Sequence, residues 1–222
     1  MYKLVCFDVD GTLVDNIAYS WELFHNAFEV DMTKRKAAKE KFYAGKITYS
    51  EWADHDIGMW LSKGVTRKDF EKAMEKGQIK LMDGALETIQ ELKSNGMKLA
   101  IISGTVSVIL DYLLPDYKEL FDDHYLSQLF FDEDGKFTKA NVTEYDMAMK
   151  ADALKLVAEK HNLKLSECVF IGDHHNDVMI AKEAGLSIAF DPKDEELKRV
   201  ADVIIESKDL RQVLKHILPL HQ

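Results

Sequence analysis

The stretch Leu4-Val5-Cys6-Phe7-Asp8-Val9-Asp10-Gly11-Thr12-Leu13-Val14 is a short apolar run that stops at two carboxylates one residue apart, followed by Gly-Thr. A run of this kind reads as a buried strand that delivers acids to its carboxyl end, the place where open α/β sheets bind ligands. Two unpaired carboxylates in a dry site repel each other, so either a metal ion neutralises them or one carries a proton. The plainer alternative is a strand followed by an Asp-Gly turn. The remainder of the chain has to decide between the two.

A chain of 222 residues can form one large domain or one domain with a smaller insert. Its 46% hydrophobic and 31% charged content excludes wholesale disorder. A net charge of -10 argues against a nucleic-acid partner or an anionic membrane surface, while leaving room for a local basic pocket. Cys6 and Cys168 sit in apolar runs without metal-like spacing, so they read as small core residues in a reducing, cytoplasmic setting. No apolar run reaches the roughly 18 residues of a membrane span. Met1 to Leu4 leads straight into a strand, and no signal peptide is expected.

After Val14 the pattern turns helical, with Trp21, Phe24 and Phe28 on one face, and Asp15 reads as a helix N-cap in preference to a minor site acid. From 16 to 77 nothing resembles a buried strand. This stretch reads as a small helical insert broken at Gly45, Gly58 and Gly64. Its aromatic residues are expected to form the insert's own core, with a few at the rim free to line a pocket. Beyond it strands and helices alternate, with strands at Lys98 to Ser103, Cys168 to Ile171, Leu186 to Phe190 and Val203 to Ile205, and a hairpin turning at Asp132 to Gly135. That alternation predicts a doubly wound, mostly parallel α/β sheet, with a core domain of 1–15 and 78–222 and a helical cap of 16–77.

Four strand ends, or the residues just beyond them, carry polar groups that a bare scaffold would not need: Asp8 and Asp10 with Gly11-Thr12, Ser103-Gly104-Thr105, Lys150, and Gly172-Asp173-His174-His175-Asn176-Asp177. In a parallel sheet these lie on one edge and can converge. A phosphomonoester would find each group it needs there. Mg²⁺ takes hard oxygens, which Asp8, Asp173 and either Asp177 or a main-chain carbonyl could supply. Phosphoryl oxygens take hydroxyl and amide donors plus a cation, which Thr12, Ser103, the loop amides and Lys150 could supply. One carboxylate can attack phosphorus, and a second can protonate the leaving oxygen. Lys139 and Lys155 compete with Lys150 for the cation's place. His174 and His175, adjacent on a loop, should point apart and serve as substrate-side or solvent residues.

These residues resemble the haloacid dehalogenase superfamily of aspartate-nucleophile phosphatases. Asp8-Val9-Asp10-Gly11-Thr12 matches its first motif, Ser103 the second, Lys150 the third, and Gly172-Asp173 with Asp177 the fourth. The likeness runs the whole length, and the insert, including Ala44-Gly45-Lys46-Ile47-Thr48-Tyr49, is similar to the cap of the phosphoserine phosphatase branch. The resemblance implies Asp8 as nucleophile and Asp10 as general acid and then base. It implies Mg²⁺ on Asp8, the Asp10 carbonyl and Asp173, supported by Asp177. Gly11, Thr12, Ser103, Gly104, Lys150 and Asn176 would surround the phosphoryl group. The partner would be a small phosphorylated metabolite, and the protein a monomer or homodimer.

The branch also uses a Glu just past the first motif for the substrate amine, where this chain has Ile17, and a cap Arg for the carboxylate, where Glu51-Trp52-Ala53-Asp54-His55-Asp56 contains none. Phosphoserine is therefore expected to be a poor substrate, with Arg67 as a cation that could reach in from elsewhere. A phosphotransferase to an alcohol acceptor would share every catalytic residue. A non-catalytic phosphate-binding regulatory module would keep only the fold.

Overall fold

The computed structural model describes residues 1–219. β1 (Leu4–Phe7) and β2 (Val14–Asp15) lead into four helices, α1 (Ser20–Ala27), α2 (Met32–Tyr43), α3 (Tyr49–Lys63) and α4 (Arg67–Lys76), before β3 (Lys80–Leu81) returns the chain. Then follow α5 (Ala85–Ser94), β4 (Lys98–Val106), α6 (Val108–Leu113), α7 (Tyr117–Leu120), β5 (Asp123–Phe131) and β6 (Phe137–Asn141). The last part holds α8 (Lys150–Lys160), β7 (Cys168–Gly172), α9 (Val178–Glu183), β8 (Leu186–Phe190), α10 (Glu195–Val200), β9 (Val203–Ile205) and α11 (Leu214–Ile217).

The main sheet has seven strands in the order β6-β5-β4-β1-β7-β8-β9. All neighbours are parallel except β5 and β6, the expected hairpin. β1 is central, and alternation along it sends Val5 and Phe7 to one apolar cluster and Leu4 and Cys6 to the other. Helices cover both faces, which is why the strand is apolar on both. Phe7 is in register with Ile101 and Ile171, so Asp8, Ser103 and Asp173 emerge at one edge of the sheet.

The antiparallel pair β2 and β3 (Val14 with Leu81, Asp15 with Lys80) brackets the four insert helices. These helices bury Phe24, Phe28, Trp60 and Phe70 together, and Phe70 lies 4.8 Å from both Phe24 and Phe28, ring to ring. The cluster does not stop at the insert. Trp60 meets Phe137 at 6.3 Å and Phe70 meets Phe131 at 5.7 Å, so the hairpin shares this aromatic core and ties the helices down over the sheet edge.

Several local expectations are corrected. Gly58 lies inside α3 rather than breaking a helix, whereas Gly45 and Gly64 stand at helix ends with φ of 67° and 64°. Asp15 caps no helix; it lies in β2 and accepts from Lys208 Nζ at 2.7 Å. β4 runs past Ser103 to Val106 through a register shift after Ile102, because its polar residues there are still buried and bonded. Cys6 and Cys168 are buried and free, as expected. Among the described residues, no helix is long and apolar enough to cross a membrane.

Candidate active site

Asp8 leaves β1 with its amide still donating to Ile171 O at 2.9 Å, so the strand ladder fixes its side chain at the sheet edge. Lys150, the first residue of α8, is fully buried and donates from Nζ to Asp8 Oδ1 at 2.7 Å and to Asp177 Oδ1 at 2.6 Å. Asp177 Oδ2 in turn accepts the amides of Asp173 and His174 at 2.9 and 3.1 Å, which shapes the loop after β7. Two glycines make this closeness possible. A Cβ on Gly11, which also has φ of 78°, would run into the Asp173 carboxylate, and one on Gly172 would strike that of Asp177.

Asp8, Asp173 and Asp177 offer carboxylate oxygens within 4.8 Å of one another, all buried. Burial, opposed by Lys150, pushes the Asp8 carboxyl up to about 7. Burial and then the charges of Asp8 and Asp177 push Asp173 up to about 9. Burial disfavours the Lys150 ammonium, yet Asp177 and Asp8 outweigh it and raise its pKa. Three buried carboxylates against one cation leave an excess of negative charge, and their hard oxygens fit a small divalent cation such as Mg²⁺.

Asp10 is held differently. Its two oxygens accept from Thr105 Oγ1 at 2.7 Å and from the Ser20 amide at 2.6 Å, and burial raises its pKa against those bonds. The second acid is thus clamped between β4 and the first residue of α1. Ser103, Gly104 and Asn176 border one pocket with Asp8, Asp10 and Asp173. Gly11 and Thr12 do not line it; Thr12 Oγ1 is buried and has no hydrogen-bond partner among the described residues. The rival lysines lie elsewhere, Lys139 over the Phe130 ring and Lys155 beside Asp152 and Glu183.

His174 and His175 do not point apart: their Nδ1 atoms are 2.7 Å from each other, and Tyr19 Oη lies 2.9 Å from His174 Nδ1. Tyr19 and Trp21, whose Nε1 donates to Gly104 O at 2.8 Å, bring the insert onto the pocket rim. Asp146 also borders it, accepting from Tyr49 Oη at 3.0 Å and Asn176 Nδ2 at 3.1 Å. Sequence reasoning gave no role to Ser20, Thr105 or Asp146. Thr105 had a signal, since it follows Ser103 by the two residues that return a strand side chain to the same face; Ser20 and Asp146 had none. Ile17 packs against the apolar cluster, Asp54 is exposed, and Arg67 stacks on Phe131 at 4.3 Å, outside the pocket.

The model of the haloacid dehalogenase-like hydrolases matches residues 2–185. The chain belongs to this family. It is 33% identical over 218 residues to the phosphoserine phosphatase of Methanocaldococcus jannaschii, covering 97% of each chain. It is 32% identical over 215 residues to that of Lactococcus lactis, covering 96% of this chain and 94% of the relative. A solved phosphoserine phosphatase carrying a phospho-aspartyl intermediate analogue matches 98% of this chain and 99% of its own, with a TM-score of 0.73 and 30% identity. A substrate-bound phosphoserine phosphatase matches 98% and 99% with a TM-score of 0.74 and 29% identity. Within its family this hydrolase is phosphoserine phosphatase-like over nearly its whole length.

Proposed function

We propose that the protein hydrolyses a small phosphomonoester with Mg²⁺, through a phosphorylated Asp8. One observation carries this: the Asp8 carboxylate, bonded to the buried Lys150, borders with Asp173 a pocket that Ser103 and Gly104 also line. An Asp8 oxygen attacks phosphorus as the bond to the alcohol oxygen breaks, and Asp10 gives that oxygen its proton. Asp10 then takes a proton from the water that attacks the aspartyl-phosphate, releasing phosphate and restoring the Asp8 carboxylate. The raised pKa of Asp10 suits both roles. Lys150, Ser103, the Gly104 amide and Asn176 hold the phosphoryl oxygens, while Gly11 and Thr12 shape the turn behind them. A Mg²⁺ on the Asp8 and Asp173 carboxylates and the Asp10 carbonyl, with Asp177 in support, would offset charge on the acids and the phosphoryl group.

Residues 16–77 act in this reading as a cap that excludes water and limits substrate size. The relatives named phosphoserine phosphatases support a small phosphorylated substrate of that kind, and two buried, unpaired cysteines suit a reducing, cytoplasmic setting. With the half-buried Ile17 packed against the apolar cluster, no carboxylate there meets a substrate amine, and phosphoserine should be a weaker substrate than an amine-free ester. The reading is tested with Asp8→Asn and p-nitrophenyl phosphate. Loss of Mg²⁺-dependent phosphate release by about a thousandfold or more is expected, and turnover like the wild type would overturn it.

A further inference from the structure

An acid that has to give a proton and then take one works only if its carboxyl group is kept turned toward the reacting oxygen. Asp10 borders the catalytic pocket, and two buried hydroxyls meet behind it. Thr105 Oγ1 lies 2.7 Å from Asp10 Oδ1 and 3.2 Å from Ser20 Oγ. The directions of these bonds follow from counting hydrogens. A carboxylate only accepts, and a hydroxyl has a single hydrogen to give. Thr105 therefore donates to Asp10, and Ser20 donates to Thr105. The Ser20 hydroxyl thus aims the Thr105 hydrogen, while the Ser20 amide donates to Asp10 Oδ2 at 2.6 Å.

The backbone of Thr105 is fixed as well. Its amide donates to Ser103 Oγ at 3.2 Å, and the carbonyl of the same peptide unit, Gly104 O, accepts from Trp21 Nε1 at 2.8 Å. Position 104 has no room for a side chain, because a Cβ there would run into the Asp146 carboxylate. The register shift in β4 after Ile102 comes just before this peptide. A β-branched side chain on a backbone held at both ends has few rotamers left, so the Thr105 hydroxyl is preset for Asp10.

We propose that Thr105 is a positioning residue for the two proton transfers: its hydroxyl, aimed by Ser20, holds the Asp10 carboxyl toward the leaving oxygen and then toward the attacking water. This rests on the reading of Asp8 as nucleophile and Asp10 as acid and base. The Thr105 hydroxyl is engaged by Asp10 and Ser20, so it acts on the reaction through Asp10. Attack by Asp8 on an ester with a good leaving group does not call on it, whereas protonation of an alkoxide and deprotonation of water both do.

The test compares Thr105→Val, which keeps the branched shape and removes the hydroxyl, with Thr105→Ser, which keeps the hydroxyl, using the Mg²⁺-loaded enzyme and p-nitrophenyl phosphate in stopped flow. In Thr105→Val the first release of nitrophenolate and kcat/KM should stay within about threefold of the wild type. Because hydrolysis of the phosphoenzyme needs the base, kcat should fall about ten- to a hundredfold and KM should fall with it, so that a stoichiometric burst precedes a slow steady state. Thr105→Ser should bring kcat back to within about threefold. A merely structural defect would slow the first release and the steady state alike, without a burst, and that result overturns the proposal. Unchanged kcat in Thr105→Val, or no recovery in Thr105→Ser, overturns it too. If Thr105→Val does not fold, Ser20→Ala gives the reading, since it keeps the amide on Asp10 and removes only the aiming hydroxyl. Its kcat should fall about three- to tenfold with the same burst, and an unchanged kcat overturns the proposal. A wild type that releases no phosphate from p-nitrophenyl phosphate overturns the hydrolytic reading and this one with it, whereas an active wild type matched by Thr105→Val removes Thr105 alone.

Discussion

Lys150 Nζ sits 2.7 Å from Asp8 Oδ1 across 142 residues of chain, and 2.6 Å from Asp177 Oδ1, with no part of the lysine exposed. This cation is the only positive side chain hydrogen-bonded to the acid cluster among the described residues, so it serves the fold and the chemistry together. Lys150→Met keeps much of the volume and strands two buried carboxylates. Metal-free protein should lose about 3–5 kcal/mol in urea unfolding, and kcat/KM should fall with it. A loss well under 1 kcal/mol would mean that the pair is not buried in solution.

Asp10→Asn separates proton transfer from attack on phosphorus. Asp10 is clamped by Thr105 and Ser20, so the amide should occupy the same place without a proton to give. Hydrolysis of an alkyl phosphate should drop by about 10²–10⁴, whereas p-nitrophenyl phosphate, whose leaving phenolate needs little protonation, should lose less in its first step. Burst kinetics with the two esters would read this, and equal losses in the first step would exclude Asp10 as the acid.

The two raised carboxyls make stability depend on pH in a defined direction. In the folded, metal-free protein Asp8 titrates at about 7 and Asp173 at about 9, against an ordinary value of 3.8. Between 3.8 and those values the folded state binds more protons than the unfolded chain, so stability falls as pH rises through that window. Mg²⁺ has to displace the same protons, so its stabilisation should grow with pH. The rise in Tm on adding Mg²⁺ should be larger near pH 8 than near pH 6, and the reverse order would contradict the burial of these acids.

Much of the scaffold was legible because its signals are local. β1, β7 and β8 are apolar runs of strand length, the hairpin turns at an Asp/Gly cluster, and Lys150 opens its helix where expected. Asp8, Ser103 and Asp173 could be placed together because parallel strands present their carboxyl ends on one edge. The misjudged points are those where local signs compete with packing. Asp15 looks like a cap but pairs with Lys80 in β2 and accepts from Lys208, and His174 and His175 turn toward Tyr19, which arrives from the insert.

What the sequence by itself determined, then, is the α/β frame, the order of the acids and the lysine along it, and their meeting at one edge, because strand alternation, helix periodicity and the parallel crossover rule are properties of short segments. The tertiary structure alone decided which groups hold Asp10, how the aromatic insert shares its core with the hairpin, and that Arg67 stacks on Phe131 outside the pocket. The packing of α1 to α4 is set by side-chain fit between helices distant in sequence, and such contacts leave no period in the chain from which to read them.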